Sequence, residues 1–565
     1  MTATLPCRDG VPQTVPGMPA AGARGGVPAA REPLDPARAA EAVRRYRALE
    51  ALREFRLRLY GCLTARADAL FELTDAVLTA DHAVASLAEL SLEAAFRRGH
   101  GALYDALAAG RIDEERLGTL LARTVPQLVD GPEAAAWAAE RDRTDDVLLD
   151  RALASRPARE AEAVRDACAL WRRQRFAVDG TCYPRPGAEC SPGRGYVRQA
   201  CSCDGDSNVV PGWEFQFIAA VGRLRTGWAG LVDVAHVTRK DRSRQAAAQV
   251  RAVLRRLRPG RDGLPLFLFD AGYSAAGLTW ELRGQPCHVL VRLAFGSVFC
   301  QDQLTWPGKP GRPGAHGAEV HCLEAADFAA AEQGKGPRGR EKPLPPNPEP
   351  DEELILPATP AYGTIRAEAW HGLHPRLCHG LGYFKGWRGE LPVLRGTLVH
   401  VTVGHLPGGR VPARGTWLWH AGPGPLSLAE LARAYSARFD IEHAFRFAKQ
   451  LLGLTCARLR TPEQAGRWAR VVMAAAAQLQ LARPLAADLR RPWEKTPDPG
   501  RPLTPGRVRR GFPNIHPLLG TPARMPKPSR PGPGRPKGSR STPAQRHRLT
   551  TKTGTPNEPG TQAAA

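Results

Sequence analysis

The sequence predicts a multidomain α+β protein: an N-terminal helical bundle, an α/β core, a β-rich insertion that interrupts that core, and disordered termini. Three observations predict it. Apolar residues recur at helical spacing from Asp35 to about Val129, and the pattern becomes strand-like from Arg175. Between Arg175 and Leu293 the order is three strands, helix, strand, helix, strand. A long amphipathic helix pattern then returns only at Leu426–Gly453, after a stretch of short strand-like pieces and Pro/Gly-rich loops.

Composition sets the outer bounds. With 565 residues, 43% of them hydrophobic, the chain can bury more than one core. A formal charge of +23 calls for a polyanion, and nucleic acid is the first choice, since no basic amphipathic helix or lipidation signal points to a membrane. No run of about twenty apolar residues exists and the N-terminus lacks the apolar stretch of a signal peptide, so no membrane association and a cytoplasmic, nucleoid-associated location are expected. Twelve cysteines in such a chain read as reduced thiols. Cys182, Cys190, Cys201 and Cys203 cluster in sequence, as do His371, His374, Cys378 and His379, which raises structural zinc. Neither set has paired C-x-x-C knuckles, so free thiols and loop imidazoles are the default.

Residues 1–34 are Ala, Gly and Pro with scattered charge and read as disordered. Residues 35–170 read as helical, with breaks at His82, Gly99, Gly101 and Gly110 that divide the first part into four or five helices. Arg97, Arg98, His100 and Tyr104 form a basic patch there, either a DNA contact or a solvated face. Residues 171–293 form the first part of the core: strands at Arg175–Gly180, Trp213–Val221 and Leu231–Val237, a helix at Arg242–Leu257, a strand at Leu264–Phe269, a short helix at Ser274–Arg283, and a strand at His288–Leu293.

Residues 294–425 read as the β-rich insertion, with strand-like pieces at Leu354–Pro357, Thr364–Trp370, Val393–Val403 and Thr416–His420 and a loop near Gly334–Glu353. Residues 426–484 bring the second part of the core. Ser427 with Glu430 forms a capping box, and no breaker follows before Gly453, which predicts about seven turns of one helix. Thr461, Pro462 and Gln464 start another helix, ending at Arg483. Residues 485–565 hold 16 Lys and Arg against four Asp and Glu, are Pro-rich, and read as a disordered basic tail. Inside it PGRPKGSR, with Arg535 and Lys537, resembles an AT-hook that slides Arg into a narrow minor groove.

On the Leu426–Gly453 helix, Tyr435, Arg438, Glu442 and Lys449 stand at steps of three, four and seven. At about 100° per residue they share a sector of roughly 60°, a face suited to a metal ion beside phosphates. The spacing Y-x-x-R-x-x-x-E-x-x-x-x-x-x-K resembles the signature of one large group of DDE insertion-sequence transposases. The resemblance implies that Glu442 is the third catalytic carboxylate and that Tyr435, Arg438 and Lys449 grip the backbone of the transposon end. It also implies a ribonuclease H-like core, whose strand order the Arg175–Leu293 pattern fits, split by a β insertion. An aromatic in the insertion would hold a flipped base: Trp370, with Trp387 and Trp417 also available.

Phosphodiester cleavage needs a nucleophilic oxygen activated on one side of phosphorus and a leaving oxygen stabilised on the other. Two divalent ions held by converging carboxylates do both, and hard oxygen donors select Mg²⁺ or Mn²⁺. Asp179 lies in an otherwise apolar first strand. Asp270 ends the apolar fourth strand, at the carboxyl end where open α/β sheets place ligands. Asp270, Gly272 and Tyr273 are similar to the family's D-x-G-Phe/Tyr. Asp233, in the third strand, is the rival to Asp179, which the first-strand position of the ribonuclease H topology favours. The expectation is a DDE transposase with catalytic, metal-binding Asp179, Asp270 and Glu442, two Mg²⁺ ions, double-stranded DNA (element ends and target) as partner, and a dimer when two ends are synapsed. The alternatives are a silent DNA-binding derivative and a nuclease that cuts without joining.

Overall fold

The structure, a computed structural model, describes residues 35–129, 173–198, 209–222, 227–238, 242–257, 263–303, 316–324, 327–328, 344–359, 362–380, 382–406, 409–494, 496, 503–528, 534, 536–540 and 542–549. The chain forms two compact units, Met1–Tyr46 and Arg47–Ala565. Of the first, the described part is Asp35 and the opening turns of α1 (Pro36–Gly61), a mostly exposed helical stretch.

In the second unit α1 continues to Gly61 and is followed by β1 (Leu63–Ala65), α2 (Ala67–Thr79), α3 (Leu87–Leu90), α4 (His100–Ala109), β2 (Arg111–Ile112) and α5 (Glu114–Thr124). Side-chain caps start two of these helices where the sequence supplies them. Ser86 Oγ accepts the Glu89 N–H of α3 at 3.2 Å, and Asp113 Oδ1 accepts the Arg116 N–H of α5 at 3.0 Å. Helix α2 is buried on every side from Ala69 to Leu78, charged residues included. That burial is tolerable because each charge has a partner: Asp75 takes a two-pronged grip from Arg56 at 2.5 and 2.9 Å, and Glu72 takes Arg97 at 2.7 Å.

One large sheet organises the rest. Its core strands are β3 (Arg175–Pro184), β5 (Val209–Val221), β6 (Ala229–His236), β7 (Leu266–Phe269) and β8 (His288–Arg292), with β4 (Gly195–Arg198) on β5. They lie in the order β6-β5-β3-β7-β8. The first three form an antiparallel meander, and β3, β7 and β8 run parallel. Parallel neighbours need crossovers, and α6 (Arg242–Arg256) and α7 (Ala275–Glu281) stand in sequence where those fall.

The insertion strands β9 (Val298–Cys300), β10 (Glu319–His321), β11 (Glu352–Thr359), β12 (Gly363–Pro375), β13 (Gly396–Val403) and β14 (Thr416–Ala421) extend the same sheet, because β14 pairs antiparallel with β8. Four of them coincide with the strand-like pieces of the sequence, while the three-residue strands β9 and β10 are too short for a period to show. Of the loop expected at Gly334–Glu353, residues 334–343 lie outside the described residues, and 344–350 are irregular.

The second crossing of the core departs from expectation. The predicted single helix is two, α8 (Leu428–Ala437) and α9 (Asp440–Gln450), joined through Arg438 and Phe439. Both junction residues keep right-handed helical dihedrals, but the bonding tightens to i→i−3: Arg438 N–H to Tyr435 O, Ile441 N–H to Arg438 O and Glu442 N–H to Phe439 O, all at 3.1 Å. The capping box is half formed. Ser427 Oγ accepts the Glu430 N–H at 3.3 Å, while the Glu430 carboxylate turns to Arg173 at 2.8 Å instead of back to Ser427.

Helix α10 (Pro462–Ala482) is apolar almost throughout and lies between β6 and the N-terminal helices, so helices and sheet share one continuous core reaching from Leu52 to Ala523. The tail reading is corrected here. Residues 505–515 form α11, which packs on α2 and α10 and buries Val508, Phe512 and Ile515. Arg509 caps this docking by donating to Val77 O at 3.2 Å and His82 O at 2.9 Å, and Arg56 donates to Gly520 O at 3.1 Å. Arg509, counted as tail charge, is a structural tie.

Candidate active site

The site begins with strand register. Val178 of β3 is the partner of Phe269 of β7 in a parallel pair, so Asp179 and Asp270 are the next residues on adjacent strands. Parallel neighbours stand about 4.8 Å apart, and β7 ends at Phe269, so the two carboxylates sit where the sheet opens at its carboxyl end. Asp270 Oδ1 accepts the Gly272 N–H at 2.7 Å, and Asp179 Oδ1 accepts its neighbour Gly180 N–H at 2.7 Å.

Glu442 arrives from the first turn of α9, across the α8–α9 junction. Arg438 connects it to the sheet: its guanidinium donates to Asp179 Oδ2 at 3.0 Å and to Glu442 Oε1 at 3.1 Å. The Arg438 side chain is 5% exposed, Asp179 20% and Glu442 49%, so the bridge runs from the buried sheet end to solvent. Burial pushes the Asp179 carboxyl above the usual carboxylate range; Arg438 opposes this and Asp270 adds to it. Burial works against the charge on Arg438, yet Tyr435, Asp179, Glu442 and Asp270 together hold it firmly protonated.

A second guanidinium, which the sequence reading did not single out, lies on the other side. Arg242, at the start of α6, pairs with Glu214 of β5 and lies over the Tyr273 ring at 5.0 Å. It occupies the space beside two glycines: a Cβ on Gly180 would meet its Nη2 at 2.6 Å, and one on Gly272 its Nη1 at 2.9 Å. The signal was available in the sequence as glycine one residue after Asp179 and two after Asp270, with a basic helix start nearby. Behind the site, the Tyr273 hydroxyl donates to Gln216 at 2.9 Å, Gln216 pairs with Gln249, and Gln249 donates to Asp233 at 2.8 Å. Asp233 also takes Arg256 at 2.9 Å. Its oxygens are thus engaged in a structural network.

The other expected residues are placed unevenly. Tyr435 is 7% exposed, beneath Arg438, whose Cζ is 5.8 Å from its ring. Lys449 is half-buried in the last turn of α9. Trp370 has no free face for a base: it is 4% exposed, stacked on Trp417 at 5.6 Å, and donates Nε1–H to Pro348 O at 2.9 Å. Trp417 is enclosed between Trp370 and His400, and Trp387 packs edge-on against Trp280. A flat apolar ring in a strand fills a sheet-on-core layer, which the sequence alone does not separate from a base platform. Arg535 lies outside the described residues, and Lys537 is exposed. Arg97 and Arg98 are drawn inward to Glu72, Asp68 and the carbonyls of Ala523 and Arg524, leaving no basic patch of the kind expected.

Among the described residues, the members of the two sequence clusters of Cys and His do not come together as a metal-ligating group of their own. Cys190 is exposed, Cys201 and Cys203 lie outside the described residues, His379 pairs with Trp387 O, and Cys378 is exposed.

The three carboxylates fit a hard divalent cation in donor chemistry. Asp179 and Asp270 are adjacent, partly buried, all-oxygen donors whose mutual repulsion a cation would relieve. They do not yet converge on one point with Glu442, because Arg438 stands between Glu442 and Asp179.

Residues 58–151 and 138–376 match the family described as DDE superfamily endonuclease, and the chain belongs to that family. It is therefore a nuclease-type enzyme of a superfamily that typically uses divalent metals and acts on DNA. The matched region holds Asp179 and Asp270 and ends before Glu442. No curated protein matches the chain. Among the described residues, no helix is long and apolar enough to cross a membrane.

Proposed function

We propose that the protein is the DDE transposase of an insertion sequence, cutting DNA at the element's ends and joining the freed ends to target DNA. The observation that carries this reading is the meeting of Asp179 and Asp270 at neighbouring strand ends, with Glu442 tied to them through Arg438. The strand order β6-β5-β3-β7-β8, antiparallel then parallel, supports a ribonuclease H-like core.

Asp179, Asp270 and Glu442 would hold two Mg²⁺ or Mn²⁺ ions, which supply charge neutralisation at phosphorus and an activated oxygen nucleophile when bound. The protein's own contribution is position. Strand pairing fixes the two aspartates, and the tight α8–α9 turn delivers Glu442 and Arg438 together. Arg438 would also offer a planar fork to a phosphate of the DNA backbone. Lys449, on the same helix as Glu442, adds a point charge for the backbone of a transposon end, and Arg242 supplies a second cation beside Asp270. Cleavage and joining are both in-line attacks at phosphorus, so one site serves both steps. Two ends must be held together, which makes a dimer on DNA the working assembly.

The test is Glu442→Gln, assayed with a duplex carrying the element's terminal repeats. Mg²⁺-dependent cleavage and strand transfer should vanish while binding of the duplex persists. Full activity in that variant would remove Glu442 from the mechanism; cleavage by the wild-type chain without any joining would reduce the protein to a nuclease.

A further inference from the structure

Away from the carboxylates, one group of three side chains among the described residues brings metal-ligating atoms into mutual reach. Cys300, His316 and His374 each place one donor atom within 4.8 Å of the others. Backbone pairing puts them there. Cys300 of β9 is the register partner of His374 on β12. On its other side β9 pairs with β10, and the pairing continues past the strand ends through Gln301 N–H to Ala318 O and Gly317 N–H to Gln301 O, both 2.9 Å, which brings His316 alongside. Gly317 permits the close approach: a Cβ there would meet Asp302 O at 2.5 Å.

The ring atoms face each other as ligands do. His316 Nδ1 and His374 Nε2 are 3.0 Å apart. In a tetrahedral site with Zn–N of about 2.0 Å, two ligand nitrogens stand about 3.3 Å apart. The other His374 nitrogen, Nδ1, is buried and makes no hydrogen bond, with Asp302 Oδ1 at 3.5 Å; Arg395 holds the second Asp302 oxygen at 3.0 Å. A carboxylate behind the non-ligating nitrogen is the arrangement that orients a metal-bound imidazole. Cys300 is fully buried and His374 is 4% exposed, so the thiol and one ring stand inside the sheet edge rather than in solvent.

We propose that Cys300, His316 and His374 bind a Zn²⁺ ion, with water in the fourth position, as a structural clamp on the far edge of the sheet. A thiolate and two imidazoles select Zn²⁺ over Mg²⁺, whereas the all-oxygen catalytic carboxylates select the reverse, so the two sites sort their metals by donor type. The clamp has a physical purpose. Strands β9 and β10 have three residues each, too few to hold an edge by backbone bonds alone, and among the described residues the pair joins the rest of the sheet through β12. A cation bonded to all three segments ties them with few residues.

The test uses the full-length chain purified without chelators, with metal content measured by mass spectrometry. About one zinc per chain is expected, falling to near zero in His374→Ala and Cys300→Ser. No zinc in the wild type, or equal zinc in wild type and variants, overturns the proposal. Because a variant could fail to fold, the second measurement needs none. The wild-type chain stripped of metal and loaded with Co²⁺ should show a thiolate-to-cobalt charge-transfer band with tetrahedral ligand-field bands and a higher Tm. Absence of the charge-transfer band overturns the assignment of Cys300.

Discussion

Arg438 reaches Asp179 across 259 positions of sequence, donating Nη1–H to Oδ2 at 3.0 Å, and the same guanidinium holds Glu442. Two carboxylates from different parts of the fold are thereby positioned by one planar cation.

The bridge predicts a pH signature. Burial and Asp270 raise the Asp179 carboxyl, and Arg438 restrains that rise. In the proposed mechanism Asp179 must be ionised to hold a cation, so activity should be lost as pH falls through its raised pKa. Removing the positive charge in Arg438→Gln lifts the pKa further and moves the acid limb of the cleavage pH profile upward. The maximal rate should also fall, by about ten- to a hundredfold, as Glu442 loses its tether. An acid limb at the wild-type position would separate Arg438 from Asp179.

A second pH effect belongs to stability. His288 of β8 and His420 of β14 stack at the seam between core and insertion, with Nδ1 and Nε2 3.1 Å apart. Burial pushes the His288 imidazole down to about 4 and, with help from His288 and Arg173, His420 to about 3. Both are neutral in the fold. The unfolded chain takes up protons below about pH 6.5 while the folded chain does not, so stability is whole above that pH. It falls on acidification toward pH 4 by up to about 1.4 kcal/mol per pH unit for each ring. Thermal melts from pH 7.5 to 5 should show Tm dropping, and His420→Phe should flatten the drop. Parallel slopes in wild type and variant would place the acid sensitivity elsewhere.

These sites differ in how far the sequence reveals them. Asp179 and Asp270 are legible because each is a charge at an apolar strand, and a strand's apolar run, such as Leu266–Phe269, needs no partner to be recognised. The break at Arg438 and Phe439 is not legible. No Gly or Pro marks it, both residues keep helical dihedrals, and the tightened bonding accompanies the anchoring of Arg438 to a strand far away in sequence. Arg242 is visible only as the start of a basic helix, since its partner Glu214 lies on strand β5, outside that helix's own pattern. Helix α11 was hidden by composition: two prolines, two glycines and three arginines read as tail, and its meaning lies in the Val77 and His82 carbonyls that Arg509 satisfies.

That helix yields a stability prediction. Phe512 is fully buried in the core that α11 shares with α2 and α10. Phe512→Ala should cost about 3–5 kcal/mol, the range for emptying a buried aromatic site, and lower Tm by several degrees. Chemical denaturation of the variant checks the size. A cost below about 1 kcal/mol would mean that α11 is dispensable to the core, as a disordered tail would be.

The chain beyond α11 should behave in the opposite way. Residues 529–565 carry seven Lys and Arg against one acidic residue. Among their described contacts with the body, the Arg546–Glu189 pair at 3.3 Å is exposed, His547 N–H donates to Glu189 O at 2.9 Å, and Cys190 Sγ–H donates to Ala544 O at 3.7 Å. Exposed pairs of this kind contribute little, so deleting 529–565 should leave Tm almost unchanged. DNA binding should respond strongly, because each phosphate neutralised on a duplex contributes about 0.9 to the slope of log K against log salt. Loss of seven cations should therefore weaken binding at low salt and flatten the slope by several units, up to about six. Fluorescence anisotropy with a duplex of arbitrary sequence, titrated across salt, measures both. A deletion that keeps the wild-type slope would show that the tail touches no phosphate and that the body of the protein supplies the whole electrostatic contact.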